Sequence, residues 1–115
     1  MAGELSTLKG AYTDAQAQKG EATYRKQCGQ CHAAAAYAGA AFRRAWPGRT
    51  AYDYFDQIRT TMPNDNPGRL SRGQYVEIVA YLFKLNGLPA GERPLPSDED
   101  KLKLIRIELQ ARPER

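Results

Sequence analysis

The stretch Cys28-Gly29-Gln30-Cys31-His32 concentrates most of the reactive side chains of this sequence in one short segment. The chain of 115 residues contains two cysteines, one histidine and two methionines, one of which is Met1. Any site that uses sulfur or imidazole therefore has to draw on this stretch and on Met62. Two thiols followed at once by an imidazole restrict the chemistry to a few kinds of site.

Three kinds of site use two cysteines at this spacing. A redox dithiol of the thioredoxin type needs a βαβ setting, whereas the flanks here are predicted to be helical. A zinc site needs four ligands, and the chain offers too few sulfur and imidazole donors. Covalent haem attachment fits, because the thiols of Cys28 and Cys31 can form thioethers on one edge of the macrocycle. His32 then lies beneath the ring as an axial ligand of iron.

Met62 is the candidate for the other axial position. A thioether stabilises ferrous iron and raises the reduction potential of a His-ligated haem. Pro63 follows directly and would stiffen the loop that holds the sulfur. We therefore expect His32 and Met62 to bind the metal and the haem to transfer single electrons. The alternative is that Met62 is an ordinary core residue, in which case an open sixth position would bind a small ligand or peroxide.

Composition limits the remaining possibilities. The chain is short and polar, with 42% apolar residues and a mean hydropathy of −0.66, so its own core is small and a cofactor would add apolar volume. The net charge of +4 is spread along the chain, which argues against nucleic acid as a partner. No apolar run approaches transmembrane length. The segment Met1–Ser6 lacks the features of a secretion signal, and we interpret the chain as one whose leader or preceding domain has been removed.

The sequence predicts a first main helix over residues 14–27. Thr13 and Gln16 match a capping box, in which both side chains satisfy free backbone donors at the start of the helix. Gly20 and Tyr24 lie on one stripe of this helix. Because glycine in mid-helix costs stability, Gly20 indicates close approach of a second helix.

Two further main helices are predicted on either side of Met62. One begins near Thr50 and ends before the proline that follows the methionine. The other is capped by Ser71 and ends at Gly87, which favours a left-handed C-cap. A short helical turn is expected around 40–45.

The chain ends are predicted to be less regular. Residues 1–12 carry no strong periodic pattern and are predicted to form an arm that lies on the surface. Residues 88–115 are predicted to form a tail with one helical turn, packed on the body. Because 115 residues fit one domain and the sequence shows no repeats, residues 1–115 are predicted to form a single domain.

In its motifs the chain resembles a class I c-type cytochrome with one haem, from about Thr13 to Ile107. The resemblance implies an all-α cytochrome c fold, with three main helices and loops wrapped around one covalent haem. It also implies that the first and last main helices cross at Gly20. The matching features, in chain order, are Gly20 with Tyr24, Cys28 to His32, Thr61-Met62-Pro63, and Ala80-Tyr81-Leu82, with Ile78 and Tyr81 facing the glycine.

The segment from Met62-Pro63 to Pro67-Gly68-Arg69-Leu70-Ser71 is similar to cytochrome domains and subunits that accompany bacterial quinoprotein dehydrogenases. This resemblance implies an electron carrier rather than an enzyme, either free or as the cytochrome part of a larger dehydrogenase. It implies a periplasmic location, a quinoprotein dehydrogenase as electron donor, and another cytochrome or an oxidase as acceptor.

Trp46 and Arg49 are further candidates for binding the cofactor, because the family often uses such residues to donate hydrogen bonds to a haem propionate. The alternative is that Trp46 only packs and Arg49 is a solvated charge. The sequence departs from the family at Ala33–Tyr37, where a proline usually supplies the carbonyl that accepts the second N–H of the axial histidine. The acceptor for His32 is therefore not identified from the sequence, although such contacts tune the metal.

Overall fold

The computed structural model describes residues 5–27, 40–61 and 68–109. In this part of the chain the main helices are the three longest elements, which confirms the predicted all-α class with three main helices. A 3₁₀ turn at Thr7–Lys9 precedes them. The elements in chain order are β1 (Leu5–Ser6), α1 (Asp14–Gln27), α2 (Ala40–Ala45), α3 (Ala51–Thr61), α4 (Arg72–Leu85), α5 (Glu99–Lys103) and β2 (Ile105–Arg106).

Helices α1 and α4 cross at Gly20, as predicted. An added Cβ on Gly20 would overlap the backbone of Glu77 and lie 3.0 Å from the nitrogen of Ile78. One turn along α1, the ring of Tyr24 packs against Tyr81 with centroids 5.6 Å apart. The glycine therefore lets two helix backbones meet, and the tyrosine pair fills the space beside them.

Helix α3 packs on another side of α4 through aromatic rings. Tyr54 of α3 stacks on Phe83 of α4 with centroids 5.5 Å apart. Phe42 of α2 meets the edge of Tyr54 at 5.4 Å, and Tyr12 approaches Phe83 at 6.5 Å. All four rings are buried, and aliphatic side chains from α3, α4, α5 and the tail complete the described core.

The predicted helix caps are confirmed in part. The Ser71 hydroxyl and the Gln74 side chain form the reciprocal capping box of α4. At α1, the Thr13 hydroxyl accepts from the Gln16 backbone N–H at 3.1 Å. The Gln16 side chain does not reach back to the cap, however, and this half of the prediction is wrong. It bonds instead to the tail residue Leu95, donating to its carbonyl at 3.0 Å and accepting from its N–H at 2.8 Å.

The arm is buried more deeply than predicted. Strands β1 and β2 pair in parallel, so the arm and the tail lie side by side. Thr7 and Tyr12 are buried, and the Tyr12 hydroxyl donates to the Leu88 carbonyl at 2.6 Å. A position on the surface is therefore wrong for these two residues, because hydrogen bonds to the tail hold them inside. The assignment of residues 1–115 to one domain stays a prediction.

Candidate haem site

The four residues with the strongest chemical signal, Cys28, Cys31, His32 and Met62, lie outside the described residues, as does Ala33–Tyr37. The structure describes the helices that lead to them. Helix α1 ends at Gln27, directly before the first cysteine, and α3 ends at Thr61, directly before the methionine. Both helices pack on α4, which therefore connects the two helices that precede the predicted ligands.

Trp46 and Arg49 are brought together just after α2. The Trp46 ring meets the edge of the buried Tyr54 at 4.9 Å, and the Arg49 guanidinium lies over Trp46, 4.6 Å from its centroid. Arg49 is also 3.8 Å from the carboxylate of Asp53, and about half of its side chain is exposed. Within the described segments, no acceptor is found for the Trp46 indole N–H, which leaves this donor available for another group.

The turn that carries this pair is fixed by hydrogen bonds at the start of α3. Thr50 and Asp53 each accept from the other's backbone N–H at 3.2 Å, which caps the helix. Gly48 N–H donates to the Ile107 carbonyl at 2.8 Å, and Ile107 N–H donates to the Arg49 carbonyl at 2.7 Å. The tail therefore holds the backbone of the turn in place.

Arg59 is a residue near the ligand set that the sequence reasoning missed. It lies on the last turn of α3, with its guanidinium over Phe55 at 5.5 Å and an ion pair to Asp56. Its Nε is buried and has no acceptor in the described part of the chain. The only local signal in the sequence was the i, i+3 spacing of Asp56 and Arg59.

The donor set fits a covalent haem. Two thiols supply the thioethers, and one imidazole with one thioether supplies the nitrogen and sulfur ligands of iron. In the described part of the chain, the buried Nε of Arg59 is an unfilled donor on the helix that precedes Met62. Among residues 5–27, 40–61 and 68–109, no cluster of three or more His, Cys, Asp or Glu side chains provides a separate metal site.

The comparison with protein families supplies the assignment. Residues 15–82, more than half of the chain, match the family described as cytochrome c oxidase, cbb3-type, subunit III. The match runs from α1 into α4 and includes Cys28, Cys31, His32 and Met62. The chain belongs to this family of cytochrome c domains. Neither the comparison with curated proteins nor that with solved structures finds a significant match.

Membership of this family confirms the coarser predictions from the sequence. A cytochrome c domain implies covalent haem and haem-based electron transfer. Such domains typically act as electron carriers with redox partners. In the part of this cytochrome c domain that the structure describes, none of the helices is long and apolar enough to cross a membrane.

Proposed function

We propose that this cytochrome c domain passes single electrons through one haem c bonded to Cys28 and Cys31, with His32 and Met62 as axial ligands. The C-x-x-C-H stretch inside the family match is the observation that carries the proposal. Met62 is the only methionine inside the chain and follows α3 directly, which supports its choice as the second ligand. A histidine and a methionine are the ligand pair that raises the reduction potential of haem iron in cytochromes c.

When bound, the haem supplies a one-electron ferrous/ferric couple. The two cysteines keep the cofactor permanently attached, which suits a carrier that meets several partners. The imidazole of His32 and the sulfur of Met62 exclude other ligands from the metal and set its potential. The packing of α1 and α3 on α4 supports this pair, because α1 ends directly before the cysteine motif that begins at Cys28 and α3 ends directly before Met62.

Exogenous ligands test the coordination directly. We expect the ferrous protein to bind carbon monoxide slowly and incompletely, because the Met62 sulfur has to leave first. Rapid, stoichiometric binding would contradict the carrier role and favour a domain with an open sixth position that binds a small ligand or peroxide. The absorption spectrum of the ferric protein gives a second reading, since sulfur-ligated iron shows a weak long-wavelength band.

We also propose that Trp46 and Arg49 donate hydrogen bonds to a haem propionate. The Arg49 guanidinium stacked on the Trp46 ring supports this role, as does the Trp46 N–H, for which the described residues supply no acceptor. Trp46→Phe removes the N–H but keeps an aromatic ring against Tyr54. We expect the variant to retain its haem and to show a changed reduction potential, measured by spectroelectrochemistry. A potential equal to that of the unmodified protein would mean that Trp46 only packs.

The proposed location is the bacterial periplasm, because covalent haem attachment generally takes place outside the cytoplasm. We propose a quinoprotein dehydrogenase as electron donor, and another cytochrome or an oxidase as acceptor. The domain is either a free carrier or part of a larger dehydrogenase. The residues after Met62 support this donor, because they are similar to those of cytochromes that accompany such enzymes.

Stopped-flow mixing of the ferric domain with a reduced quinoprotein dehydrogenase should give fast reduction that slows with added salt, since the chain carries a charge of +4. No reduction would contradict this donor.

A further inference from the structure

The buried ring of Phe55 on α3 is contacted by two guanidinium groups. Arg59, on the same helix, has its Cζ 5.5 Å from the ring centroid. Arg72, the first residue of α4, has its Cζ 4.8 Å from the same centroid. Phe55 itself is fully buried. One ring therefore connects the last turn of α3 with the first turn of α4.

Each guanidinium also donates a hydrogen bond to a second partner. Arg59 Nη2 donates to the Asp56 carboxylate, and Arg72 Nε donates to the carbonyl of Ser97 in the tail. A planar guanidinium held by a bond in its own plane keeps its face free for an aromatic ring. We call the set Phe55, Arg59 and Arg72 the arginine clamp.

In the chain, the proposed ligand Met62 lies between two members of the arginine clamp, Arg59 and Arg72. Helix α3 ends one residue before Met62, and α4 starts where Arg72 contacts Phe55. In the described part of the chain, the contact between Phe55 and Arg72 is the one cation–aromatic contact that joins α3 to α4. Any rearrangement that separates the end of α3 from the start of α4 has to break it.

We propose that Arg72 and Arg59 are positioning residues that help to keep the Met62 sulfur on the haem iron. Arg72 fixes the start of α4 to Phe55 of α3, and Arg59, on the same helix as Phe55, holds that ring in place for the contact. The inference rests on the proposed function, because it needs Met62 as an axial ligand. A ligand from solution binds ferric iron only after the sulfur has left. Weakening the clamp lowers the cost of that departure and strengthens the binding of the competing ligand.

Imidazole titration of the haem-loaded ferric protein measures this cost. We expect Arg72→Met to tighten imidazole binding by a factor of about 2 to 5, the range expected for one partly exposed cation–aromatic contact. Arg59→Met, which acts only through the Phe55 ring, should tighten it by a smaller factor. Methionine keeps an unbranched apolar stem over the ring and removes the charge and the hydrogen bond. Arg72→Lys restores the charge and should return part of the effect.

Lys103→Met is the matched control. Lys103 lies over Tyr52 at 5.1 Å and pairs with Glu99, so the substitution also removes one positive charge and one cation–aromatic contact. This contact joins α5 to α3 and involves neither Phe55 nor α4. We expect imidazole binding in this variant to equal that of the unmodified protein.

The possible outcomes separate the clamp from the proposed ligand set. If the unmodified ferric protein lacks the long-wavelength band of sulfur ligation, Met62 is not a ligand and both proposals are overturned. If the band is present but the Arg59 and Arg72 variants bind imidazole no more tightly than Lys103→Met, only the clamp is overturned. Tighter binding in both arginine variants, partly reversed by lysine at position 72, supports the clamp.

Discussion

A methyl group on Gly20 would lie 1.8 Å from the carbonyl oxygen of Glu77. Real Cβ atoms do not approach backbone oxygen so closely, so even the smallest side chain would push α1 away from α4. At the same crossing, Tyr24 packs against Tyr81. Gly20 and Tyr24 both belong to α1, the helix that ends directly before Cys28. The contact between Gly20 and Glu77 therefore sets the separation between α4 and the helix that precedes the proposed haem attachment site.

Gly20→Ala should destabilise the haem-loaded protein by about 3 kcal/mol, the upper range for overpacking a tight contact. The obstacle is backbone and cannot rotate away. Gly73→Ala is the control, because Gly73 is also helical and the nearest atom to its added Cβ is the Ser71 hydroxyl at 4.0 Å. We expect this control to be neutral or to stabilise the protein by up to about 1 kcal/mol. Denaturant unfolding measures both, and equal effects would contradict the close crossing.

The hydroxyl of Tyr12 predicts a loss of stability at high pH. Burial, and secondly the charge of Asp14, raise its pKa to about 12, from an ordinary value of 10.0. Because the folded state favours the protonated hydroxyl, this contribution is complete below pH 10 and is lost as the pH rises through 12. We expect the free energy of unfolding to fall by about 2 kcal/mol more between pH 10 and pH 12 in the unmodified protein than in Tyr12→Phe. Parallel pH profiles of the two proteins would contradict the buried hydroxyl.

The bonds between Gln16 and Leu95 predict that the tail stabilises α1. Gln16→Ala removes both hydrogen bonds and should lower the free energy of unfolding by about 1 to 2 kcal/mol. Gln18 lies exposed on the same helix, so Gln18→Ala should change stability by less than about 0.5 kcal/mol. Thermal unfolding of the two variants compares them directly. A Gln16 variant as stable as the Gln18 variant would show that the tail adds nothing here.

Met62→Ala should lower the reduction potential and open the iron to carbon monoxide, because the thioether that stabilises ferrous iron is lost. Thr61→Ala is the control, since Thr61 is the exposed neighbour. Among the described residues, its hydroxyl donates only within α3, to the carbonyls of Gln57 at 2.7 Å and Ile58 at 3.5 Å. Potentiometric titration and carbon monoxide binding measure both variants. An unchanged potential in Met62→Ala would remove this residue from the axial role.

The sequence predicted those features that depend on local patterns. Thr13 before an uninterrupted helical stretch placed the start of α1, and Ser71 with Gln74 placed the start of α4. The glycine in mid-helix predicted a crossing because glycine there is costly unless a neighbour needs the space.

Contacts between distant parts of the chain could not be read from those patterns. Gln16 matches the local sequence pattern of a capping box, but its side chain forms hydrogen bonds with the backbone of the distant residue Leu95 instead. Two-residue strands such as β1 carry too few positions to show a period, so the pairing with β2 had no signal. The contact between Phe55 and Arg72 likewise depends on how α3 meets α4. Candidate metal ligands were easier to propose, because the sequence contains so few sulfur and imidazole donors.

Mass spectrometry of the matured, acid-denatured protein tests the central claim most directly. Thioether bonds survive denaturation, so we predict a polypeptide heavier by one haem than the bare chain, and no free thiols at Cys28 and Cys31. A mass equal to that of the 12.8 kDa polypeptide, with both thiols open to alkylation, would contradict covalent haem attachment and the electron-transfer function that depends on it.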